Sequence, residues 1–206
     1  MMMMLTMTVM MIDVVVIVIT VIVIMLPLKG GRGVLHGFNC THALSHLATL
    51  PNPSYGRPGR GLAVVFRSDL DVTKTTIDVT PTTFDVLGVN VRMGKERFLL
   101  VNIYRPPDTN INTFISELTD LLDSVAGRYT IFMGDFNCPG VTCDCVDTRL
   151  TAALACYSLK IVNEGPTRLN YDGDQNKLDV IIETDDGGHL CDVYLLSVQV
   201  SQTTVY

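Results

Sequence analysis

The chain has 206 residues, of which 48% are hydrophobic, so it is long enough to bury the core of one α/β domain. Its formal net charge is −6, which excludes a general basic field that would attract nucleic acid, so any phosphate chemistry must depend on local cations or bound metal. The six cysteines form no recognisable disulfide framework, which indicates free thiols in a reducing compartment.

Residues 1–26 differ from the rest of the chain, because they are almost wholly apolar and carry a single charge, at Asp13. Within them, residues 7–26 reach the length of about 20 residues that a membrane-spanning helix needs. No Lys or Arg precedes this run, and its β-branched residues favour a strand. Three interpretations therefore stay open for this segment: a membrane anchor, a hydrophobic strand or a low-complexity stretch without selected structure.

Residues 27–60 are rich in Gly and Pro, and we expect a loop region there with one short helical patch. The histidines of this region have no acidic residue nearby to complete a metal site, so we interpret them as solvated side chains. The regular patterns begin at residue 61, and we expect one domain over residues 61–206.

From residue 61 onward, strand-type runs alternate with helical patterns. The strand-type runs cover residues 61–67, 83–91, 97–104, 129–133, 177–183 and 192–200. The apolar spacing from residue 111 predicts an amphipathic helix that ends at Gly127, and residues 147–159 predict a second helix with Asp147 as its N-cap. Helices between strands, together with a strand meander, predict an α/β fold in which helices cover the sheets.

Four polar residues stand at or near the ends of the predicted strands. Asp135 and Asn137 follow one strand, Tyr104 ends another and Asp179 lies inside a third. In α/β sheets such residues converge on one edge, where ligands bind. Because side chains alternate along a strand, we expect Asp135 and Asn137 on the same side. A carboxylate inside an apolar strand is costly unless it is paired, which favours a functional role for Asp179.

The motifs around these residues are recognisable as a set. The motifs are "NIYRPP" (102–107), "FMGDFN" (132–137), "GPTR" (165–168) and "LDVII" (178–182). In this order they resemble the endonuclease/exonuclease/phosphatase superfamily, and more narrowly the endonuclease domain that accompanies the reverse transcriptase of LINE-type non-LTR retrotransposons. The resemblance covers about residues 50–206. It implies a four-layer α/β sandwich, two packed mixed sheets flanked by helices, that is incomplete at its N-terminal edge.

The resemblance also implies Mg²⁺-dependent hydrolysis of DNA phosphodiester bonds. Asp135 would activate the attacking water and is the candidate metal ligand. Asn137 and the hydroxyl of Tyr104 would bind the scissile phosphate, and Asp179 would orient a catalytic histidine. These residue types suit the chemistry, because an aspartate accepts a proton, an amide donates a hydrogen bond without adding charge, and Mg²⁺ stabilises the charge that develops in the transition state.

Arg105 and Arg168 flank two of the motifs and are further candidates for substrate binding. The partner that the resemblance implies is DNA, and we expect no protein partner. It also implies a nuclear or cytoplasmic location, unless residues 7–26 anchor the chain in a membrane.

Two parts of the family pattern are absent from the sequence. The family's metal-binding glutamate precedes the Gly-rich strand at residue 61, whereas the first glutamate of this chain is Glu96. The family ends in Ser-Asp-His, whereas this chain has Ser201, Gln202 and Thr203 at those positions. Without these groups we expect an impaired or inactive enzyme, since a general acid or base contributes about 10² to 10⁴ in rate. A decayed, truncated or mispredicted retroelement copy would explain both absences.

Two alternatives stay open. An active phosphoesterase of the same superfamily would need a relocated metal ligand, for which Asp69, Asp71 and Asp78 are candidates. A non-catalytic binding domain of the same fold would be tethered to a membrane by residues 7–26. Nicking of DNA tests the first alternative, and membrane association of the expressed protein tests the second.

Overall fold

The described residues of the computed structural model fold into thirteen strands and two helices. They divide into two compact units, Met1–Asp71 with Leu190–Tyr206, and Val72–His189. Each unit contains one main sheet. The structure describes residues 4–12, 15–24, 38–44, 61–67, 70–93, 95–142, 144–169, 175–184 and 192–198.

The strands in chain order are β1 Met4–Ile12, β2 Val15–Ile24, β3 Phe38–Leu44, β4 Gly61–Arg67, β5 Asp71–Thr75, β6 Asp85–Met93, β7 Glu96–Tyr104, β8 Thr130–Asp135, β9 Leu159–Ile161, β10 Arg168–Leu169, β11 Gln175–Asn176, β12 Asp179–Thr184 and β13 Asp192–Val198. The helices are α1 Ile111–Ser124 and α2 Thr148–Ala155.

The first unit contains a five-stranded sheet with the order β13-β1-β2-β4-β3. Its described pairs are all antiparallel. The apolar segment 1–26 supplies β1 and β2, which pair with each other and lie between β13 and β4. Within the part of the chain that the structure describes, no helix is long and apolar enough to cross a membrane.

Strand β3 lies in the region 27–60, where the sequence indicated a loop with a short helical patch. Its seven residues pair along the whole length of β4, from Phe38 opposite Arg67 to Leu44 opposite Gly61. Strand preference depends strongly on the neighbouring strand, so the partner overrides a weak local pattern.

The second unit contains a mixed six-stranded sheet with the order β5-β6-β7-β8-β12-β9. Strands β7 and β8 are parallel, and α1 connects them. Strands β6 and β7, β8 and β12, and β12 and β9 are antiparallel. The predicted α/β fold class is confirmed by this mixed sheet with its two helices among the described residues.

The central strands of this sheet are buried on both faces. On one face Val101 of β7 and Phe132 of β8 belong to the same apolar cluster as Phe114 of α1 and Leu150 of α2. Side chains on the opposite face, such as Leu100, are also fully buried. Burial of each such side chain contributes about 1.5–3 kcal/mol, and a parallel pair buried on both faces fits the nearly continuous apolar runs in the sequence.

Both helices begin at side-chain caps. The Asn110 side chain accepts hydrogen bonds from the backbone N–H groups of Asn112, at 2.9 Å, and Thr113, at 3.2 Å. The Asp147 side chain accepts from the backbone N–H of Arg149 at 2.8 Å, so the predicted N-cap of α2 is confirmed. These caps satisfy backbone donors that have no partner within the helix.

Candidate active site

Four neighbouring strands of the six-stranded sheet each place one polar residue at the same level. Asp85 of β6 is paired with Tyr104 of β7, Tyr104 with Asp135 of β8, and Asp135 with Asp179 of β12. Residues that are directly paired on adjacent strands project from the same face of a sheet. These four residues, which we call the polar row, therefore share one face across four strands.

The polar row lies along one edge of the sheet. Strands β7 and β8 end at Tyr104 and Asp135, whereas the antiparallel strands β6 and β12 begin at Asp85 and Asp179. The exposed fractions are 5% for Asp85, 7% for Tyr104, 8% for Asp135 and 5% for Asp179. The carboxyl ends of the parallel strands β7 and β8 form this edge, and buried carboxylates at such an edge are expected where an α/β sheet binds a ligand.

The sequence prediction placed Asp135 after its strand, but in the structure β8 continues through this residue. The reason is pairing on both sides, with Tyr104 and Asp179, which extends the strand by two residues beyond the apolar run. The row also contains Asp85, which motif reasoning missed. Its only signal is the register between β6 and β7, which depends on contacts that the local sequence does not encode.

Asn137 lies beside Asp135 for a different reason than strand alternation. It has a left-handed backbone with φ 44°, an uncommon conformation outside glycine that asparagine tolerates. Its backbone N–H donates to Oδ1 of Asp135 at 3.1 Å, which closes a tight turn between the two side chains. The turn brings the carboxylate and the amide together directly after the strand.

Phe136, between these two polar residues, anchors the turn to the core. Its side chain is fully buried, and its ring meets the ring of Phe114 edge to face at a centroid distance of 6.0 Å. Phe114 in turn contacts Phe84 at 5.4 Å in the same geometry. The "GDFN" segment thus buries one aromatic ring against α1 while its polar residues form the turn.

Arg105 is buried behind this turn and is 4% exposed. Its guanidinium donates to the backbone carbonyl of Asn137 at 2.6 Å, more weakly to that of Phe136 at 3.4 Å, and to that of Thr109. It also lies 5.3 Å from the centroid of the Phe114 ring. The guanidinium of Arg105 is thus held by three backbone carbonyls and an aromatic ring of the protein itself.

Asp179 is held by two residues that precede β12. The hydroxyl of Thr167 accepts from the backbone N–H groups of Leu178 at 3.0 Å and Asp179 at 2.9 Å. The side chain of Asn163 accepts from the N–H of Ile181 at 2.7 Å and donates to the carbonyl of Asp179 at 3.1 Å. Asn163 thereby continues the ladder between β9 and β12 with its side chain.

Thr167 belongs to the "GPTR" motif, which contributed to the resemblance but did not indicate that Thr167 accepts hydrogen bonds from the start of β12. Asn163 was not singled out by the sequence analysis. Arg168 begins β10 opposite Asn176, and its side chain lies outside the described residues.

Lys177 is a buried cation two residues before Asp179. Its Nζ donates to the backbone carbonyl of Asn163. Burial lowers the pKa of Lys177, against the raising effect of the nearby groups of Cys145 and Asp144. Local positive charge therefore exists near the start of β12 despite the acidic character of the whole chain.

The polar row contains the type of side chain that binds Mg²⁺, but too few ligands for a complete site. Asp135 and Asp179 are paired on adjacent strands and supply the carboxylate oxygens that Mg²⁺ prefers. Among the residues that the structure describes, no group of three or more His, Cys, Asp or Glu side chains could hold a metal ion.

The other candidate ligands do not join the row. Asp71 and Asp78 are exposed, and Asp71 begins β5 at the edge of the sheet. Asp69 lies outside the described residues, as do Ser201, Gln202 and Thr203.

Comparison with known proteins agrees with the resemblance seen in the motifs. Residues 98–198 match the family described as "Endonuclease-reverse transcriptase". Among curated proteins, none has significant sequence similarity to this chain.

Two solved structures with TM-scores above 0.5 share the fold, and a third is similar at a lower score. The endonuclease domain of TRAS1, a telomere-specific non-LTR retrotransposon, is 24% identical, with 74% of this chain and 69% of that chain covered and a TM-score of 0.56. D. rerio TDP2, humanized by 14 mutations, is 10% identical, with 82% and 71% covered and a TM-score of 0.51. The human Nocturnin catalytic domain is 15% identical, with 72% and 60% covered and a TM-score of 0.48.

Proposed function

We propose that this chain is a phosphodiesterase domain of retrotransposon origin whose substrate is DNA. In support, residues 98–198 match the family described as "Endonuclease-reverse transcriptase", and the chain shares its fold with the endonuclease domain of TRAS1. The observation that carries the proposal is the polar row, because it brings Tyr104, Asp135 and Asp179 to one face and one edge of the sheet. Asn137 joins them through its hydrogen bond to Asp135.

Each residue has a role that its chemistry allows. Asp135 accepts a proton from the attacking water, whose oxygen forms the new bond to phosphorus while the ester oxygen of the cleaved strand leaves. The amide of Asn137 and the hydroxyl of Tyr104 donate to the non-bridging oxygens of the phosphate. One amide hydrogen of Asn137 donates to the carbonyl of Arg105 at 2.7 Å, which leaves the other for the substrate.

Mg²⁺ would be held by Asp135 and Asp179, and when bound it would stabilise negative charge on the phosphate. Mg²⁺ commonly binds through one or two carboxylates and retains several waters, so two aspartates give a weak site rather than none. We therefore propose that Mg²⁺ affinity is reduced relative to proteins that have the glutamate.

We propose that turnover is impaired as well. Asp179 is the family's partner for a histidine, but Gln202 and Thr203 occupy the positions of the terminal Asp and His. Loss of that histidine removes about 10² to 10⁴ in rate, and loss of the metal carboxylate removes further charge stabilisation. With these losses, we expect a pseudoenzyme that binds DNA and hydrolyses it at a rate near background.

A second candidate is an active phosphoesterase with a relocated ligand. The observation in its favour is Asp85, a buried carboxylate in the polar row, whereas Asp71 and Asp78 are exposed outside it. Asp85 and Asp135 are separated by Tyr104 in the row. This candidate therefore requires that carboxylates from two strands that are not neighbours bind the same cation.

Nicking of supercoiled plasmid in Mg²⁺ tests both candidates, with D120N as a control that changes an exposed carboxylate of α1. We expect wild-type protein to bind DNA and to nick it no faster than D135A. Nicking that is lost in both D135A and D85N would favour the second candidate over the impaired enzyme. Absence of DNA binding at low salt would contradict both.

A further inference from the structure

We infer that Arg105 is a positioning residue, which holds residues 135–137 in the shape that presents Asp135 and Asn137 to the substrate, and that its guanidinium does not contact the DNA phosphate. The DNA part of this inference rests on the proposed function. The part that concerns the turn rests on hydrogen bonds within the protein alone.

The backbone of Arg105 holds both ends of the turn. Its N–H donates to the carbonyl of Asp135 at 2.8 Å, and its carbonyl accepts from the side-chain amide of Asn137 at 2.7 Å. Pro106 follows Arg105 and favours an extended backbone there, which fixes the direction of this carbonyl. The amide of Asn137 is thereby oriented by a group on the neighbouring strand.

The guanidinium of Arg105 stabilises the middle of the same turn. The left-handed φ of 44° at Asn137 costs free energy in a residue with a side chain. The carbonyls of Phe136 and Asn137 both accept from one terminal guanidinium nitrogen, while the second terminal nitrogen donates to the carbonyl of Thr109. A planar group with five N–H donors can reach these separate carbonyls at once, whereas the single ammonium of lysine cannot.

The same geometry argues against a phosphate contact. Arg105 is 4% exposed, its two terminal nitrogens donate to backbone carbonyls, and its Nε is buried without a hydrogen-bond partner among the described residues. A phosphate that bound the terminal nitrogens would compete with these carbonyls. The positive charge of Arg105 therefore acts inside the protein.

Amide hydrogen exchange in ¹⁵N-labelled protein, without DNA or metal, tests the positioning role. In R105K we expect the Asn137 N–H, which donates to Asp135, to exchange about tenfold faster or more, while amides in the centre of β7 keep their protection. R128K is the matched control, because Arg128 is exposed and its guanidinium donates to the side chain of Asn90 at 2.8 Å rather than to a backbone carbonyl of the turn.

A second measurement uses wild-type protein and therefore does not require R105K to fold. An immobilised guanidinium should give separate, slowly exchanging Nη–H signals for Arg105. Averaged, rapidly exchanging signals, or an unchanged exchange rate of the Asn137 N–H in folded R105K, would overturn the inference.

DNA binding distinguishes the positioning role from a phosphate contact. In R105M we expect weaker binding with an unchanged slope of log K against log salt, whereas loss of a phosphate contact would reduce that slope by about 1. In a double-mutant cycle with N137A the losses should overlap rather than add. If wild type fails to bind DNA, the proposed function is wrong, while the exchange results still decide the role of Arg105.

Discussion

At Gly134 the backbone of β8 approaches the backbone of β7 more closely than a side chain allows. A Cβ at this position would lie 2.0 Å from the carbonyl oxygen of Ile103 and 2.8 Å from the side-chain oxygen of Asn102. The φ of 133° is also one that residues with side chains rarely adopt. The glycine of "GDFN" is therefore required by the close contact of two strands immediately before Asp135.

We expect G134A to destabilise the protein by about 3 kcal/mol or more, because backbone strain and an overlap with backbone atoms act together. G127A is the control, since Gly127 also has a positive φ, 77°, but nothing lies within 4 Å of its Cβ position. That variant should lose only about 1 kcal/mol. Urea unfolding measures both changes, and equal losses would contradict the steric explanation.

At the level of single residues, the sequence indicates which residues are candidates for the site better than it indicates what each side chain contacts. Asp135, Asn137 and Asp179 could be proposed as site residues because they lie in short contiguous motifs. The role of Arg105 could not, because a guanidinium beside a predicted site is equally suited to bind a phosphate or three backbone carbonyls. Only burial and the direction of its hydrogen bonds distinguish these possibilities.

Among the elements, helix α1 holds the loop that leads into β6. The carboxylate of Glu117 accepts four hydrogen bonds, from the N–H and hydroxyl groups of Thr82 and Thr83, at 2.5 to 2.9 Å. Phe84 and Asp85 follow directly, one in the core and the other in the polar row. The contact of Glu117 with Thr82 and Thr83 thus helps to fix the start of β6, and with it the position of Asp85 on the face of the sheet opposite α1.

This contact predicts a pH dependence of stability. Partial burial raises the pKa of Glu117, but the hydrogen bonds from Thr82 and Thr83 outweigh it, so its pKa lies below the usual 4.5. Because the folded-state pKa is depressed, the stabilisation is present above the ordinary value and is lost as pH falls through the folded-state value. Solvent screening limits the effect to less than about 1 kcal/mol.

We therefore expect E117Q to be less stable than wild type at pH 7, and the two melting temperatures to converge as the pH falls below 4.5. Thermal unfolding between pH 3 and pH 8 measures the difference. A constant offset over this range would show that the carboxylate charge is not the cause.

Strand β12 is also fixed by side chains from outside the sheet. We expect T167A to lose about 1–3 kcal/mol, because the N–H groups of Leu178 and Asp179 lose their acceptor, while T167S keeps it. T119A is a control, since the hydroxyl of Thr119 only donates to the carbonyl of Ile115 within α1. Equal midpoints for T167A and T167S in urea would contradict this role.

Which elements could be predicted depends on their local pattern. Strands β4, β6, β7 and β8 and both helices have clear apolar periodicity, and the sequence predicts them to within a few residues. Strand β5, "DVTKT", is mostly exposed, and β9 has only three residues. Such strands exist because a neighbour supplies the hydrogen bonds, so tertiary pairing rather than local preference determines them.

In the whole molecule, the described part of the candidate site lies within one compact unit, Val72–His189. The sequence positions that the resemblance assigns to the family's terminal residues, Ser201 to Thr203, lie outside the described residues.

We expect the double substitution Q202D/T203H to raise plasmid nicking by about 10² to 10⁴ over wild type at high Mg²⁺, because it restores an acid/base pair. Q202N/T203Q keeps similar side-chain sizes without that chemistry and should nick like wild type. No increase in Q202D/T203H would contradict the correspondence of Gln202 and Thr203 with the family's terminal residues.

The antiparallel register of β8 and β12 has a consequence for insertions and deletions. Side chains alternate along a strand, so a slip by one residue would carry Asp179 to the helix-covered face, where Val180 now lies among apolar side chains. The side chains of Thr167 and Asn163 oppose such a slip, because they form hydrogen bonds with four backbone groups of β12 and the residue before it. We therefore expect insertion of one residue within β12 to destabilise the fold as well as to displace Asp179. The same insertion in an exposed turn should have little effect on stability.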